Sequence, residues 1–336
     1  MIMSLFIAIL AAFLTTFVFT PIAIKFLYVI GIVGLDLHKK NKPKLPTSGG
    51  VCVATGLIVG LLVYIGIQTF VYNTKTEALN LLAAICSILI VTAVGIADDL
   101  NIRSKLMKTK EGFDIKIGLP QSKWLLTLPA AIPLMVISLG NTTMSIPFIG
   151  NVDFGLIYPL LLIPIGFVGA SNAINLLGGF NGSEAGMGAI YMLSLGIYGL
   201  MHGSQGSIIF LISFASLIAF LIYNWYPAKI LPGDSLTYLL GATVASGVIL
   251  GDMEKIGMLV LLPFVIEFLL KARSRFKASC LGKIRKDGRL DPPYGKNIYS
   301  ITHILMNIKP MTEKEIAIGL ILIAAVFSLI PFLGIF

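Results

Sequence analysis

Long apolar segments separated by short polar connections dominate this chain. A membrane-spanning helix needs about 20 predominantly apolar residues, and counting such segments gives ten predicted spans. They cover approximately residues 2–33, 49–73, 78–97, 123–139, 155–177, 183–202, 205–225, 235–251, 255–270 and 315–336. The pattern predicts an all-α integral membrane protein, one polytopic domain over residues 1–336 with a bundle of about ten transmembrane helices.

The composition agrees with lipid as the main solvent. Hydrophobic residues make up 57% of the 336 positions, charged residues 12%, and the mean hydropathy is +0.93. A soluble domain of this size does not bury so much apolar surface. The first apolar segment has no basic region before it and is too long for the core of a signal peptide, so we interpret it as an uncleaved first helix.

Basic residues lie almost entirely in alternate connections. Of the 25 Lys and Arg residues, 22 lie in the odd-numbered connections, which the positive-inside rule places in the cytoplasm. Both termini are then outside. The polar residues predicted at the cytoplasmic face are Asp98, Asp99, Asn175, Asn181 and Asp234.

Two connections show signs of local structure. Residues Thr142 to Gly155 alternate in polarity and predict a short hairpin on the outer surface. Asp287-Gly288 is a turn signal inside the connection of residues 271–314, which carries eleven basic and three acidic residues. This positive charge exceeds what is needed to orient the protein in the membrane, so we predict a partly folded cytoplasmic loop that attracts phosphate groups and binds substrate.

Carboxylates and carboxamides are grouped at the ends of three predicted spans. They occur as Asp98-Asp99, as Asn172 and Asn175, and as Asp234 after a glycine. Oxygen donors of this kind are the ligands with which Mg²⁺ holds a nucleotide diphosphate. The sequence therefore predicts an enzyme that acts on a phosphorylated substrate at a membrane surface.

Four motifs in the cytoplasmic connections resemble those of the polyprenyl-phosphate N-acetylhexosamine-1-phosphate transferases. The motifs are Asp98-Asp99, the segment from Ser171 to Gly186, Tyr223-Asn-Trp-Tyr-Pro227 and Leu231-Pro-Gly-Asp-Ser235. Within that family the sequence resembles the dolichyl-phosphate branch, because Asn181-Gly182 stands where bacterial relatives carry Asp-Gly. The His-rich motif of the bacterial enzymes is also missing, since His303 stands alone.

The resemblance implies transfer of GlcNAc-1-phosphate from UDP-GlcNAc to a polyprenyl (dolichyl) phosphate with release of UMP. This would be the first step of lipid-linked oligosaccharide synthesis for N-glycosylation, with Mg²⁺ as the cofactor and Mn²⁺ as the alternative ion. The implied location is the cell membrane, or the endoplasmic reticulum in a eukaryote, with a cytoplasmic active site. A homodimer is compatible with the sequence, and no nucleic-acid partner is expected.

The same resemblance assigns roles in catalysis. It implies that Asn175 and Asp234 are the metal ligands and that Lys123 contacts the pyrophosphate. Asp98 and Asp99 are also implied to be catalytic, and their chemistry leaves three roles open: holding the metal, removing a proton from the acceptor phosphate, or orienting Lys123. Because a phosphate monoester has its second pKa near 6, the acceptor needs little help from a base, which favours positioning and charge balance.

Substrate contacts are implied at several further positions. Asparagine and glycine on the connection after the fifth span suit close contact with uracil, and these residues are Asn172, Gly178, Asn181 and Gly182. Gly49 and Gly50 resemble another backbone contact to the nucleotide. Leu231 stands where the family often has an aromatic residue that stacks on uracil. The basic candidates for sugar or phosphate binding in the loop are Arg273, Arg275, Lys277, Lys283 and Arg285.

Three alternative functions compete with this assignment. A transporter would carry charged residues in the middle of its spans, whereas most charges here lie at span ends. A CDP-alcohol phosphotransferase would show a single stretch of regularly spaced aspartates, and no such stretch occurs. A bacterial-type transferase that uses undecaprenyl phosphate and another UDP-N-acetylhexosamine remains open.

Overall fold

The computed structural model describes residues 2–75, 77–100, 106–108, 114–116, 123–137, 140–146 and 150–334. Its long helices are α1 (Ile2–Val29), α2 (Gly50–Phe70), α3 (Ala78–Leu100), α6 (Ile163–Ile174), α7 (Ser183–Met201), α8 (Gly206–Asn224), α9 (Gly233–Leu250), α11 (Leu262–Arg273) and α13 (Glu313–Leu329). The shorter ones are α4 (Lys123–Thr127), α5 (Ile132–Val136), α10 (Glu254–Val260) and α12 (Ile301–Ile308).

Every predicted span contains helix, but not every span is one continuous helix. In the part of the chain that the structure describes, six helices are long and apolar enough to cross a membrane, namely α1, α2, α3, α8, α9 and α13 extended to Leu333. The predicted fourth span is divided into α4, a 3₁₀ turn and α5, with prolines at positions 129 and 133. The predicted ninth span is divided into α10 and α11. An integral membrane protein is supported, and the number of ten crossings stays a prediction.

Hydrogen bonds between distant segments show which helix ends lie together. We call one end of the bundle the site end. Five helices end there, namely α1, α3, α6, α8 and α11, and five begin there, namely α2, α4, α7, α9 and α13. At the opposite end, Gln68 near the end of α2 bonds Ser4 at the start of α1 (3.1 Å). Asn141 and Asp252 bond there as well (2.7 Å). The polar residues predicted to share one face do lie at the same end.

Four antiparallel hairpins lie among the described residues. β1 (Val33–Leu35) pairs with β2 (Lys44–Pro46), and β3 (Leu106–Lys108) pairs with β4 (Asp114–Lys116). β5 (Thr143–Ile146) pairs with β6 (Gly150–Asp153), in the segment where alternation predicts a hairpin. β7 (Lys283–Ile284) pairs with β8 (Leu290–Asp291) around the Asp287-Gly288 turn. The first predicted span is shorter than expected, because α1 ends at Val29 and β1 follows.

Helix α9 lies at the centre of the bundle. Its residues from Ser235 to Leu250 are all buried, and it packs against α2, α3, α6 and α8. Glycines on two neighbours and on α9 itself permit this close approach. A side chain at Gly50 of α2, Gly95 of α3 or Gly241 of α9 would collide with backbone across the helix contact. Since protein interiors are close-packed, these contacts fix the position of α9 relative to its neighbours.

Substituting Gly241 is expected to destabilise the contact between α6 and α9. A Cβ atom at Gly241 would collide with the backbone of Ser171, whereas a Cβ atom at Gly169 would meet nothing within 4 Å. We expect Gly241→Ala to lower the free energy of unfolding by about 1–3 kcal/mol. Gly169→Ala is the matched control and is expected to leave it unchanged or raise it by about 0.5–1 kcal/mol.

The measurement is thermal unfolding of both variants in the same detergent. Equal melting temperatures for Gly241→Ala and Gly169→Ala would contradict the close packing of α6 on α9.

Candidate functional site

Asp234 lies in the first turn of α9, where that helix begins at the site end. The preceding Gly233 has a φ of 69°, a left-handed conformation that favours glycine. Asp234 itself is partly exposed, whereas Ser235 is fully buried. The predicted metal ligand is therefore at the boundary between the buried bundle and the space at its end.

The carboxylate of Asp99 accepts hydrogen bonds from this same turn. Asp99 is buried in the last turn of α3, which continues to Leu100 beyond the predicted end of the span. Its Oδ1 accepts from the amide of Asp234 (2.7 Å) and its Oδ2 from the amide of Ser235 (3.1 Å). Ser48 Oγ also donates to Oδ2 (2.9 Å). Asp99 thus joins α3, α9 and the segment before α2.

Asn175, the second predicted metal ligand, is held beside the same turn. Its Oδ1 lies 2.8 Å from Thr237 Oγ1, and the same hydroxyl lies 3.1 Å from the backbone carbonyl of Asp234, so its one proton is shared between these two acceptors. Asn175 follows the end of α6, which packs along α9. The structure therefore brings Asn175, Asp99 and Asp234 together around the start of one helix.

Tyr238 is a site residue that the sequence interpretation missed. It is 1% exposed, its phenol interacts with the Asn175 side chain, and it lies within electrostatic range of Asp98, Asp99 and Asp234. Residues four apart share a helix face, so its distance of four residues from Asp234 is a signal that could have identified it. Asp98 is fully buried in the last turn of α3.

Lys123 begins α4, and the position of its side chain lies outside the described residues. Asn172, which is a predicted substrate contact, connects α6 to this short helix. Its Nδ2 donates to Thr127 Oγ1 (3.2 Å) in α4 and to the Val168 carbonyl (2.8 Å). Because Thr127 is one helical turn after Lys123, Asn172 helps to attach α4 to the site end.

Gly49 and Gly50 pack against the segment that leads into α9. The amide of Gly49 donates to the Leu231 carbonyl (3.1 Å) and the amide of Gly50 to the Pro232 carbonyl (3.1 Å). The Leu231 amide in turn donates to the Pro46 carbonyl (2.8 Å). The two glycine amides are therefore engaged within the fold, and a nucleotide contact by either glycine stays a prediction.

The connection between α6 and α7 is braced by buried Glu184. Its carboxylate accepts from the Gly179 amide (2.6 Å) and from Ser183 Oγ (2.6 Å). A side chain at Gly178 would collide with this carboxylate, and one at Gly182 (φ 80°) would collide with the Trp225 ring. Packing within the fold thus accounts for both predicted uracil-binding glycines, and their contact with substrate is untested.

Asn181 belongs to a buried charged cluster that sequence reasoning did not identify. Its Nδ2 donates to Asp36 Oδ2 (3.1 Å) and its amide donates to Glu313 Oε1 (2.9 Å). Lys39 forms ion pairs with Glu313 and with Asp36 (3.6 Å), and its ammonium lies 3.9 Å from the Tyr226 ring centroid. The cluster joins the β1–β2 connection, the α6–α7 connection and the start of α13.

His38 adds a stacked ring to this cluster. Its imidazole lies parallel to the Phe180 ring at 4.5 Å, and its Nε2 accepts weakly from the Gly282 amide (3.4 Å). Burial lowers the pKa of His38 to about 4, so the ring is neutral at physiological pH. The neutral form is the one that can accept a hydrogen bond at Nε2.

The connection of residues 271–314 is attached to the bundle by polar contacts near α11. Buried Glu267 accepts from Ser300 Oγ (3.1 Å) and from the Ile301 amide (2.8 Å). Lys271 lies 3.8 Å from Glu267 and donates to the Ala278 carbonyl (2.9 Å). These contacts fix both ends of residues 278–300 on α11.

The same connection also contacts the α6–α7 connection. Cys280 Sγ donates to the Gly178 carbonyl (3.1 Å), and burial raises the pKa of this thiol. The Leu281 side chain lies so close to Gly179 that a Cβ atom there would collide with it. Residues 280–282 therefore cover the segment that contains the predicted uracil-binding positions.

The five basic loop residues that we selected from the sequence are all exposed, namely Arg273, Arg275, Lys277, Lys283 and Arg285. Arg285 pairs with Asp287 (3.7 Å) and Asp291 (3.4 Å) inside the β7–β8 hairpin. Arg273 donates to the Ile298 carbonyl (3.4 Å). Their exposure leaves these side chains able to meet an anion from solution, and their roles stay predictions.

The donor set at the site end fits a hard divalent cation. Among the described residues no group of three or more His, Cys, Asp or Glu is arranged as a metal centre. The predicted site instead combines the Asp234 carboxylate with the Asn175 carboxamide oxygen. Mg²⁺ commonly uses one or two protein oxygens and keeps water and phosphate as its remaining ligands, so a site with few protein ligands suits it.

Comparison with known proteins gives consistent results. The sequence profile of Glycosyl transferase family 4 matches residues 81–252. A Saccharolobus solfataricus protein with the provisional name UDP-N-acetylglucosamine–dolichyl-phosphate N-acetylglucosaminephosphotransferase is 33% identical over 98% of this chain and 96% of its own length. The Dictyostelium discoideum protein of the same name is 27% identical over 90% of this chain and 81% of its own length.

A bacterial protein is similar over a smaller part of this chain. The Bacillus subtilis protein, provisionally named an undecaprenyl-phosphate N-acetylglucosaminyl 1-phosphate transferase, is 29% identical over 77% of this chain and 67% of its own length. The residues that the family profile matches include Asp98, Asp99, Asn175 and Asp234.

Protonation of His38 is expected to oppose folding between pH 6.5 and about pH 4. Burial lowers the pKa of His38 from 6.5 to about 4, although Asp36 opposes this shift. Between these values the unfolded chain binds a proton at His38 that the folded chain does not. The contribution of His38 to the free energy of unfolding therefore decreases as pH falls, by at most about 1.4 kcal/mol per pH unit. We expect acidification from pH 7 to pH 5 to change the melting temperature less favourably in the wild type than in His38→Gln.

The melting temperatures of wild type and His38→Gln at pH 7 and pH 5 measure the contribution of His38. Burial also lowers the pKa of His303 to about 4, so His303→Gln is the matched control and should remove a separate contribution. Equal pH dependence in wild type and His38→Gln would show that His38 is not buried in its neutral form.

Proposed function

Because the chain belongs to Glycosyl transferase family 4, we propose that it transfers GlcNAc-1-phosphate from UDP-GlcNAc to a dolichyl-type polyprenyl phosphate and releases UMP. The Saccharolobus solfataricus and Dictyostelium discoideum proteins, whose names specify dolichyl phosphate, align with at least 90% of this chain. The reaction would produce a lipid-linked pyrophosphoryl sugar, the first intermediate of an oligosaccharide for N-glycosylation. The observation that carries the proposal is the grouping of Asn175 and Asp234 around the first turn of α9.

The chemical problem of this reaction is electrostatic. A phosphate monoester must approach a pyrophosphate, and both are anions that repel each other at close range. The buried carboxylates Asp98 and Asp99 add negative charge at the same end of the bundle. Cations are therefore needed at this site, and catalysis consists largely of positioning and charge stabilisation.

We assign the cation site to Asp234 and Asn175. Both offer oxygen donors, and Thr237 holds the Asn175 carboxamide against the first turn of α9. When bound there, Mg²⁺, or Mn²⁺ in its place, would supply positive charge to the pyrophosphate oxygens. Lys123 at the start of α4 is the proposed cationic partner of the pyrophosphate.

The lipid phosphate requires little activation. With a second pKa near 6, it is mostly a dianion at neutral pH and can attack without first losing a proton. The exposed bases of residues 271–314 supply a positive field that draws both anionic substrates towards the site end. Leu231 precedes α9 and takes the place of an aromatic residue, so we expect apolar contact with the uracil rather than ring stacking.

The acceptor chemistry separates the dolichyl assignment from its bacterial alternative. The Bacillus subtilis protein that is similar over 77% of this chain carries a name that specifies undecaprenyl phosphate. The reaction at the phosphate is the same for both lipids, so only the apolar groove would distinguish them. We propose dolichyl phosphate because relatives with that name align over more of the chain.

We further propose that the site end faces the cytoplasm. Most Lys and Arg residues lie in the connections at this end, and Lys75 and Lys255 lie in those at the other end. This asymmetry is the one that the positive-inside rule describes.

UMP release by the purified protein tests the proposed reaction. We expect release with UDP-GlcNAc, dolichyl phosphate and Mg²⁺, and none in EDTA. Asp234→Ala should abolish it, because a cation ligand is lost, and Lys123→Ala should reduce it by about 100-fold or more through lost charge stabilisation. Lys286→Ala, at an exposed position on the β7–β8 turn, is the matched charge control and should retain most of the activity.

A panel of UDP-sugars with dolichyl and undecaprenyl phosphates identifies the preferred pair. Release that continues in EDTA, or no release with any UDP-N-acetylhexosamine, would contradict the proposed reaction.

Cysteine labelling tests the orientation. Single cysteines replace Lys286 at the site end and Lys75 at the other end, in a background with the native Cys52, Cys86 and Cys280 replaced by alanine. In intact cells a membrane-impermeant maleimide should label the cysteine at position 75 and should reach that at position 286 only after permeabilisation. The reverse pattern would place the site end outside.

A further inference from the structure

Asp99 uses both carboxylate oxygens on hydrogen-bond donors of the fold. Oδ1 accepts from the Asp234 amide (2.7 Å), and Oδ2 accepts from the Ser235 amide (3.1 Å) and from Ser48 Oγ (2.9 Å). The first N–H groups of a helix have no partner within the helix and commonly bind a side-chain oxygen. Here the oxygen comes from a different helix, α3, so the bond connects the two helices.

We propose that Asp99 is a positioning residue, a cap supplied by α3 that holds the first turn of α9 and with it the Asp234 side chain. Its negative charge is also favourable at the positive end of the α9 dipole. The proposal removes Asp99 from the candidates for a general base. The structural role of Asp99 as a cap is independent of the proposed function, whereas its effect on catalysis rests on that function.

The backbone around this cap is shaped for it. Gly233 adopts a left-handed φ of 69°, and a side chain there would collide with the Asp99 carboxylate. Gly95, one turn before Asp99 on α3, lies so close to α9 that a Cβ atom would be 2.5 Å from the Ser235 Cα. Two glycines therefore allow α3 and α9 to approach until a short aspartate side chain reaches both amides.

The cap has two consequences for the chemistry. Proton transfer to Asp99 would convert one of its oxygens into a donor and weaken a bond to α9, so a base at this position would release the helix turn that holds Asp234. In addition, the amides of Asp234 and Ser235 already donate to Asp99, so they are not open to a substrate phosphate unless the cap separates.

Amide hydrogen exchange of the full-length protein in detergent, without Mg²⁺ or substrate, tests the cap directly. Asp99→Asn keeps the size of the side chain but replaces one acceptor oxygen by an NH₂ group. We expect exchange in peptides containing Asp234 and Ser235 to become faster, on the order of tenfold. Ser48→Ala is the matched control, because it removes a bond to Asp99 and leaves α9 capped, and its exchange should stay near wild type.

Kinetics of the same variant distinguish a cap from a base. We expect Asp99→Asn to lower kcat about 100-fold through displacement of Asp234, to raise the Mg²⁺ concentration for half-maximal rate, and to retain the shape of the wild-type pH–rate profile. In Gly233→Ala the added methyl group would collide with the Asp99 carboxylate, so this variant should also accelerate exchange of the Asp234 and Ser235 amides. It replaces Asp99→Asn in the exchange measurement if Asp99→Asn does not fold.

Wild-type exchange in Asp99→Asn and Gly233→Ala would overturn the proposal. So would loss of the acidic limb of the pH–rate profile in Asp99→Asn, since that is the behaviour of a missing base. If the wild-type protein releases no UMP, the proposed reaction fails, while the exchange measurement still decides whether Asp99 caps α9.

Discussion

The need to satisfy backbone amides at a partly buried helix start organises this site. The first turn of α9 begins where the bundle meets the space at its end, and an N–H group that is buried there without a partner costs about 1–3 kcal/mol. Asp99 accepts hydrogen bonds from two of these amides and from Ser48 Oγ, and it thereby connects α9 to α3 and to Ser48. Once this turn is fixed, the positions of Asp234 and of the Asn175 carboxamide bonded to Thr237 follow from it.

Charge is distributed unevenly around this turn, and the arrangement matches an anionic reaction. Acidic groups are buried close to α9, whereas the bases in the connections are mostly exposed. A separate buried cluster of Asp36, Lys39 and Glu313 binds the β1–β2 connection to α13 and holds Asn181. Such buried pairs contribute little net stability, but they fix the segments that surround the site in one arrangement.

The sequence predicts the general architecture because that depends on local patterns. Apolar segments of helix length and the asymmetry of Lys and Arg place Asp98, Asn175 and Asp234 at one end, as the structure shows. The short hairpin at residues 143–153 follows from alternating polarity. The break of the fourth span at Pro129 and Pro133 is a local signal too, but counting apolar residues does not register it.

The remaining features depend on contacts between residues far apart in sequence. The bond from Ser48 to Asp99 joins residues 51 apart, and the Lys39–Glu313 pair joins residues 274 apart. No local pattern encodes either contact. The same applies to Gly49 and Gly50, whose partners in the turn before α9 are visible only once the helices are packed. A resemblance to a family indicates that such residues matter, whereas the packed structure indicates what they touch.

The most direct test is a structure of the protein with Mn²⁺ and UDP-GlcNAc, measured at a wavelength where Mn²⁺ scatters anomalously. The account predicts an anomalous peak between the Asp234 carboxylate and the Asn175 carboxamide, with the pyrophosphate against it and Asp99 still bonded to the start of α9. A peak held by other residues, or a nucleotide bound at the opposite end of the bundle, would contradict it.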